Sequence, residues 1–122
     1  MQVTQFMHAS LLVQDVAVAR TFYEDLLGLI ASDQRPDLGY PGIWYELGPQ
    51  QIHLIALAEV PQAIHAAHGG RDRHIALRVD DIAALQSKLD ALCIAYSLSR
   101  SGRRALFCRD PDGNALEFIE VL

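Results

Sequence analysis

Apolar and polar residues alternate from Phe6 to Val13, which predicts a strand with Met7, Ala9, Leu11 and Val13 on one face and His8, Ser10 and Leu12 on the other. Asp15 follows as a helix N-cap. Apolar positions at Val16, Ala19, Phe22, Tyr23 and Leu26 then keep helical spacing, which predicts a helix over about Val16–Leu27 ended by Gly28. Leu29–Asp33 reads as a short strand, and residues 35–42, with two Pro and two Gly, as a loop. Ile43–Leu47 and Gln51–Leu57 read as a hairpin around Gly48-Pro49-Gln50.

The same order returns in the second half. Arg73–Val79 alternates with Ile75, Leu77 and Val79 against His74, Ala76 and Arg78, and Ile82, Leu85, Leu89 and Leu92 mark a helix over about Ile82–Leu92. Ala95–Ser99, Arg104–Arg109 and Asn114–Val121 read as strands, the last two joined by the turn residues Asp110-Pro111-Asp112-Gly113. Met7–Val16 and Arg73–Ile82 are copies 66 residues apart, matching His8 to His74, Leu11 to Leu77, Val13 to Val79 and Asp15 to Asp81. Gln51–Ile55 matches Ala115–Ile119 at a separation of 64, which sets His53 against Glu117. A duplication of this kind dictates the architecture. The expected fold is α+β, with two βαβββ modules at about 6–57 and 73–121 joined by a linker at 58–72. Together they form one domain over 1–122. Helices lie outside a strongly curved mixed sheet around a metal-binding cleft.

Composition narrows the class. The chain has 122 residues, 51% hydrophobic and 20% charged, so it can build a packed core. A net charge of −5 argues against a nucleic-acid or anionic-membrane surface. No apolar run reaches the roughly 20 residues of a membrane span, and the N-terminus lacks signal-peptide features. Two unclustered cysteines, Cys93 and Cys108, are expected as free thiols in a reducing cytoplasm, with Cys93 buried on a helix. His65 and His68 are expected as solvated linker residues.

In both first strands the apolar face lies opposite the histidine, so the helix covers the apolar side and His8 and His74 project from the other. Four metal-competent side chains, His8, His53, His74 and Glu117, occupy paired positions of the duplication. Imidazole and carboxylate together suit Zn, Fe, Co, Ni or Mn. Two His and one carboxylate alone match the facial arrangement of non-haem Fe(II) sites. Trp44, with Tyr40 and Tyr45, offers an aromatic wall for a small-molecule substrate. Arg104, with Arg35 or Arg103, offers a partner for a carboxylate or phosphate.

The paired modules, the segment Ala19-Arg20-Thr21-Phe22-Tyr23-Glu24-Asp25-Leu26-Leu27-Gly28-Leu29 and the segment 110–117 (Asp-Pro-Asp-Gly-Asn-Ala-Leu-Glu) resemble the vicinal oxygen chelate superfamily of glyoxalases, bleomycin-resistance proteins and extradiol dioxygenases. The resemblance implies one divalent metal per site, ligated by His8, His53, His74 and Glu117. It also implies a homodimer in which two chains share each cleft. Glyoxalase I carries glutamate at both fourth-strand positions, whereas this chain has His53 at one, leaving Glu117 as ligand and catalytic base. Three functions follow from the resemblance. They are a metal-dependent lyase or isomerase on a substrate chelated through adjacent oxygens, an Fe(II) extradiol-type dioxygenase, and a non-catalytic small-molecule binding protein.

Overall fold

The computed structural model describes residues 1–61 and 65–121. It divides into two compact units, Met1–Pro61 and Gln62–Leu122. The α+β class and the two βαβββ modules are as the sequence predicts, with eight strands among the described residues in two four-stranded sheets, one per unit.

In the first unit, β1 (His8–Val13) pairs in parallel with β4 (Gln50–Ala56). Antiparallel β3 (Gly42–Leu47) and the two-residue β2 (Ile30–Ala31) complete the order β1-β4-β3-β2. Helix α1 starts at Val16, where the Asp15 carboxylate accepts from the backbone N–H groups of Ala17 and Val18 at 2.8 and 3.2 Å. It is α-helical only to Arg20 and continues as a wider π-helical segment, Thr21–Leu26. The widening begins where the Thr21 hydroxyl donates back to the Ala17 carbonyl. Gly28, at φ 72°, ends the helix, and Leu29 N–H reaches the Tyr23 carbonyl at 2.9 Å. Ala19, Phe22, Tyr23 and Leu26 on this helix, with Val13, Ile43, Tyr45, Ile52 and Leu54 of the sheet, form the buried core of the unit. Tyr23 and Tyr45 stack at 5.7 Å, and the buried Tyr45 hydroxyl donates to Glu24 at 2.8 Å.

The second unit repeats this plan. β5 (His74–Val79) runs parallel to β8 (Ala115–Glu120), followed by antiparallel β7 (Ala105–Arg109) and β6 (Tyr96–Leu98) in the order β5-β8-β7-β6. Helix α2 (Ile82–Ala91), capped by Asp81, buries Ile82, Leu85 and Leu89. Leu106, Leu116 and Phe118 are buried on the sheet. The helix ends without glycine: Cys93 takes the left-handed position at φ 54°, and is exposed rather than buried as expected. The β7–β8 turn is tied by Asp110, whose carboxylate accepts from the backbone of Asp112 and Asn114 and from the Asn114 side chain at 2.8–2.9 Å.

Of the expected linker, residues 62–64 lie outside the described residues. The rest, 65–72, is bonded to the second sheet: His65 is exposed as expected, whereas His68 is half-buried rather than solvated. Gly69 is buried, within 3.4 Å of Phe107 and Ala115 if given a Cβ. His68 Nδ1 is 2.7 Å from the Ser97 hydroxyl, and its ring meets Phe107 edge-on at 4.7 Å. The Asp72 carboxylate accepts from Arg109 Nη1 at 2.8 Å and from His65 Nδ1 at 2.9 Å. Arg109 Nη2 donates to the Ala66 carbonyl at 2.7 Å.

Candidate functional site

Strand register brings the predicted residues together in pairs, one pair in each unit. In the first, His53 of β4 lies between Ser10 of β1 and Trp44 of β3. Alternation puts His8, Ser10, Trp44, Gln51 and His53 on the sheet face opposite the α1 core. The rings form a stack, with Trp44 4.2 Å from His53 and 5° from parallel, and His53 3.9 Å from His8 at 15°. With Arg35, Leu38 and Tyr40 these residues line a cavity of about 450 Å³.

Gln51 fixes the protonation pattern of His53. Its amide nitrogen donates to Glu46 at 3.1 Å, so its oxygen faces His53 and accepts from Nε2–H at 2.8 Å. Desolvation by burial, with the charges of His8 and Arg35, lowers the proton affinity of His53 below that of ordinary histidine. Both effects favour the neutral ring of His53, with Nε2–H on Gln51 and Nδ1 as the acceptor nitrogen.

In the second unit, Glu117 of β8 stands between Ala76 of β5 and Phe107 of β7, the register positions matching Ser10 and Trp44. Glu117 is buried, yet its carboxylate has two partners. His74 Nε2 is 3.3 Å from Oε2, and Arg103 Nη2 donates to Oε1 at 3.2 Å. His74 Nδ1 donates to the Asp72 backbone carbonyl at 2.8 Å. A carbonyl only accepts, so Nδ1 carries a proton and Nε2 is the nitrogen that faces Glu117. At this distance either a proton on Nε2 or a metal ion held by both groups can join the imidazole to the carboxylate.

Two donors each about 2.1 Å from one ion and 90–109° apart lie about 3.0–3.4 Å from each other. The His74–Glu117 pair meets this spacing, and the Nδ1–carbonyl bond is the kind that orients metal-bound histidine. The His8–His53 pair fits less directly. Parallel stacked rings aim their in-plane lone pairs side by side, and His53 Nε2 is held by Gln51. Among the described residues no group of three or more His, Cys, Asp or Glu side chains is arranged to hold a metal ion.

Of the residues expected to meet substrate, Trp44 lines the first-unit cavity. Arg104 instead pairs with Glu120, while its neighbour Arg103 turns to Glu117. Sequence reasoning passed over Gln51, Phe107 and Asp72. Phe107 is the repeat counterpart of Trp44, a signal available in the register once the third strands are aligned. The role of the Asp72 carbonyl left no trace in the sequence, because a backbone group serves irrespective of its side chain.

Comparison with known proteins agrees with this architecture. The family model of the Glyoxalase/Bleomycin resistance protein/Dioxygenase superfamily matches residues 5–118, and the chain belongs to that superfamily. It is 30% identical to the uncharacterized protein YwbC of Bacillus subtilis, with 93% of this chain and 94% of that one covered. It is 28% identical to the uncharacterized protein YaeR of Escherichia coli, covering 95% of each. Lactoylglutathione lyase from Agrobacterium tumefaciens superposes with a TM-score of 0.67 at 22% identity, over 98% of this chain and 95% of that one. The fosfomycin resistance protein FosX from Listeria monocytogenes superposes at 0.74 with 12% identity, over 99% and 96%. At these identities the two structures share the fold with this chain. No helix among the described residues is long and apolar enough to cross a membrane.

Proposed function

We propose that the chain is a divalent-metal-dependent lyase or isomerase of glyoxalase type, acting on a small substrate chelated through adjacent oxygens. The observation that carries this reading is the His74–Glu117 pair, a buried carboxylate 3.3 Å from the Nε2 of an imidazole whose other nitrogen is tied to a backbone carbonyl. His8, His74 and Glu117 would hold the ion. His53 would join as fourth ligand through Nδ1, or through Nε2 after releasing Gln51. Zn, Ni, Co, Mn and Fe all suit this donor set. When bound, the ion supplies Lewis-acid stabilisation of negative charge developing on substrate oxygen.

The chain's own groups account for the rest. Glu117 would accept a proton from one substrate carbon at a carboxylate oxygen and return it to the adjacent atom of the same substrate. Arg103, bonded to that carboxylate at Oε1, sets which oxygen is free. Trp44 and Phe107 flank the fourth-strand positions and exclude water from them. The active species is proposed to be a homodimer, with each cleft drawing its donors from two chains, working on a soluble small molecule in the cytoplasm.

The reading is tested by metal analysis of protein purified without an affinity tag, followed by turnover assays with 2-oxoaldehyde–thiol adducts, epoxides and catechols. One divalent ion per chain is expected, with donor distances of about 2.0–2.2 Å by X-ray absorption if it is Zn. His74→Ala and Glu117→Gln should each weaken binding by more than about tenfold, on the scale of losing one ligand or its orienting partner. Protein that stays metal-free in excess Ni, Zn, Mn and Fe would reject the enzyme reading in favour of a sequestering module.

A further inference from the structure

Arg35 is held in the first-unit cavity by contacts that leave its charge unmatched. Its Nη2 donates to the Tyr40 carbonyl at 2.9 Å, and its Cζ sits 5.3 Å above the centre of the Tyr40 ring. A carbonyl and a ring face orient a guanidinium without neutralising it. Gly42 permits the position, because a Cβ there would lie 2.9 Å from Nη2 and 2.3 Å from the Leu54 carbonyl. The Nε atom is buried with no hydrogen-bond partner, and a buried orphan donor of this kind points to a group missing from the site.

The surroundings sharpen the point. Arg20, Arg103, Arg104 and Arg109 each meet a carboxylate, in a chain with 15 acidic and 10 basic residues. Arg35 meets none among the described residues, and no Asp or Glu lines its cavity. The lining supplies His8, His53, Ser10 and Gln51 on the sheet, with Leu38, Tyr40 and Trp44 as apolar walls. Leu38 and Tyr40 are each about two-fifths exposed, an uncovered apolar margin beside the cation.

We infer that Arg35 is the anchor of an anion subsite, taking the carboxylate or phosphate head of a small organic substrate while Leu38, Tyr40 and Trp44 hold its apolar body. A guanidinium offers such oxyanions a planar fork of donors, and the cavity desolvates the pair. This subsite rests on the proposed substrate cleft and names the class of molecule that enters it. It does not need the metal, so both can be tested apart.

Trp44 is the single tryptophan of the chain and lines the cavity, so its emission reports occupancy. Full-length protein in EDTA is titrated with cyclohexanecarboxylate, cyclohexyl phosphate and the neutral cyclohexylmethanol. At least one anion is expected to change the emission saturably, with the alcohol at least tenfold weaker. The stronger of the two anions identifies the head group. Arg35→Gln should weaken anion binding at least tenfold, and Arg35→Lys should fall between, with far-UV circular dichroism verifying the fold of each. Should Arg35→Gln not fold, the lysine variant and a decline of wild-type affinity with added salt carry the test. Equal anion binding by wild type and a folded Arg35 variant, alcohol binding as tight as the anions, or no saturable response to either anion would overturn the subsite. Failure of metal binding with anion binding intact would instead count against the proposed metal chemistry alone.

Discussion

Single side chains here behave according to burial and partner, and the two cysteines show it most simply. Cys108 is buried on β7, and desolvation, with the nearby Asp110, pushes its thiol up to about 12. Cys93 is exposed at the left-handed end of α2. Native protein should therefore release one equivalent of thiolate from a disulfide reagent at pH 8, and Cys93→Ser should abolish that signal. Two equivalents before denaturation would contradict the burial of Cys108. At the same scale the sequence made His8, His53, His74 and Glu117 legible, because each recurs in the duplication and strand alternation assigns its face. It did not separate Arg103 from Arg104. Arg103 precedes β7 and lies outside its alternation, so the bend at residues 100–104 decides which arginine reaches Glu117. The sequence offered Arg35 only as one of three arginines for an anion, since a loop residue has no periodicity to place it.

Elements were more readable than residues wherever a cap or period was written locally. Asp15 and Asp81 cap the two helices, and the tightly bonded turn Asp110-Pro111-Asp112-Gly113 joins β7 to β8 as expected. The segment 65–72 was not readable, because its order comes from Arg109, 37 residues beyond Asp72. That clamp also sets the carbonyl that orients His74. Hydrogen bonds from Arg109, then from His65 and the Arg73 backbone, hold the Asp72 carboxyl at about 2, below its ordinary 3.8. The unfolded chain thus takes up this proton more readily than the folded one. The stability it contributes is complete above about pH 4 and is lost as pH falls toward 2. Urea midpoints should drop less between pH 5 and pH 3 in Asp72→Asn than in wild type. Arg109→Ala should behave like Asp72→Asn and should also open the segment to trypsin at Arg71 and Arg73. An unchanged pH response in both variants would mean the clamp is not formed in solution.

For the whole molecule, the duplication explains why two units of one design exist, each with two donors on the sheet face opposite its own helix. A periodic pattern inside each module reveals the modules. It does not reveal from which chain a cleft collects its donors, because a long linker permits either closure within one chain or exchange between two. The β1 and β5 strands each end the hydrogen-bonded order of their own sheet, and a sheet edge is where strands of another chain can add. The exchange proposed above makes a sharp prediction for mixed dimers. A subunit carrying His8→Ala and His53→Ala is combined with one carrying Glu117→Ala, and heterodimers are isolated through two different tags removed before analysis. Under exchange, one cleft receives both defects and the other receives none. The heterodimer should then bind one metal ion per dimer with wild-type affinity, while each mutant homodimer binds weakly or not at all. If every cleft is built within one chain, each carries a defect and the heterodimer loses tight binding altogether. The two outcomes differ by a whole equivalent of metal, so elemental analysis of verified heterodimers decides between them.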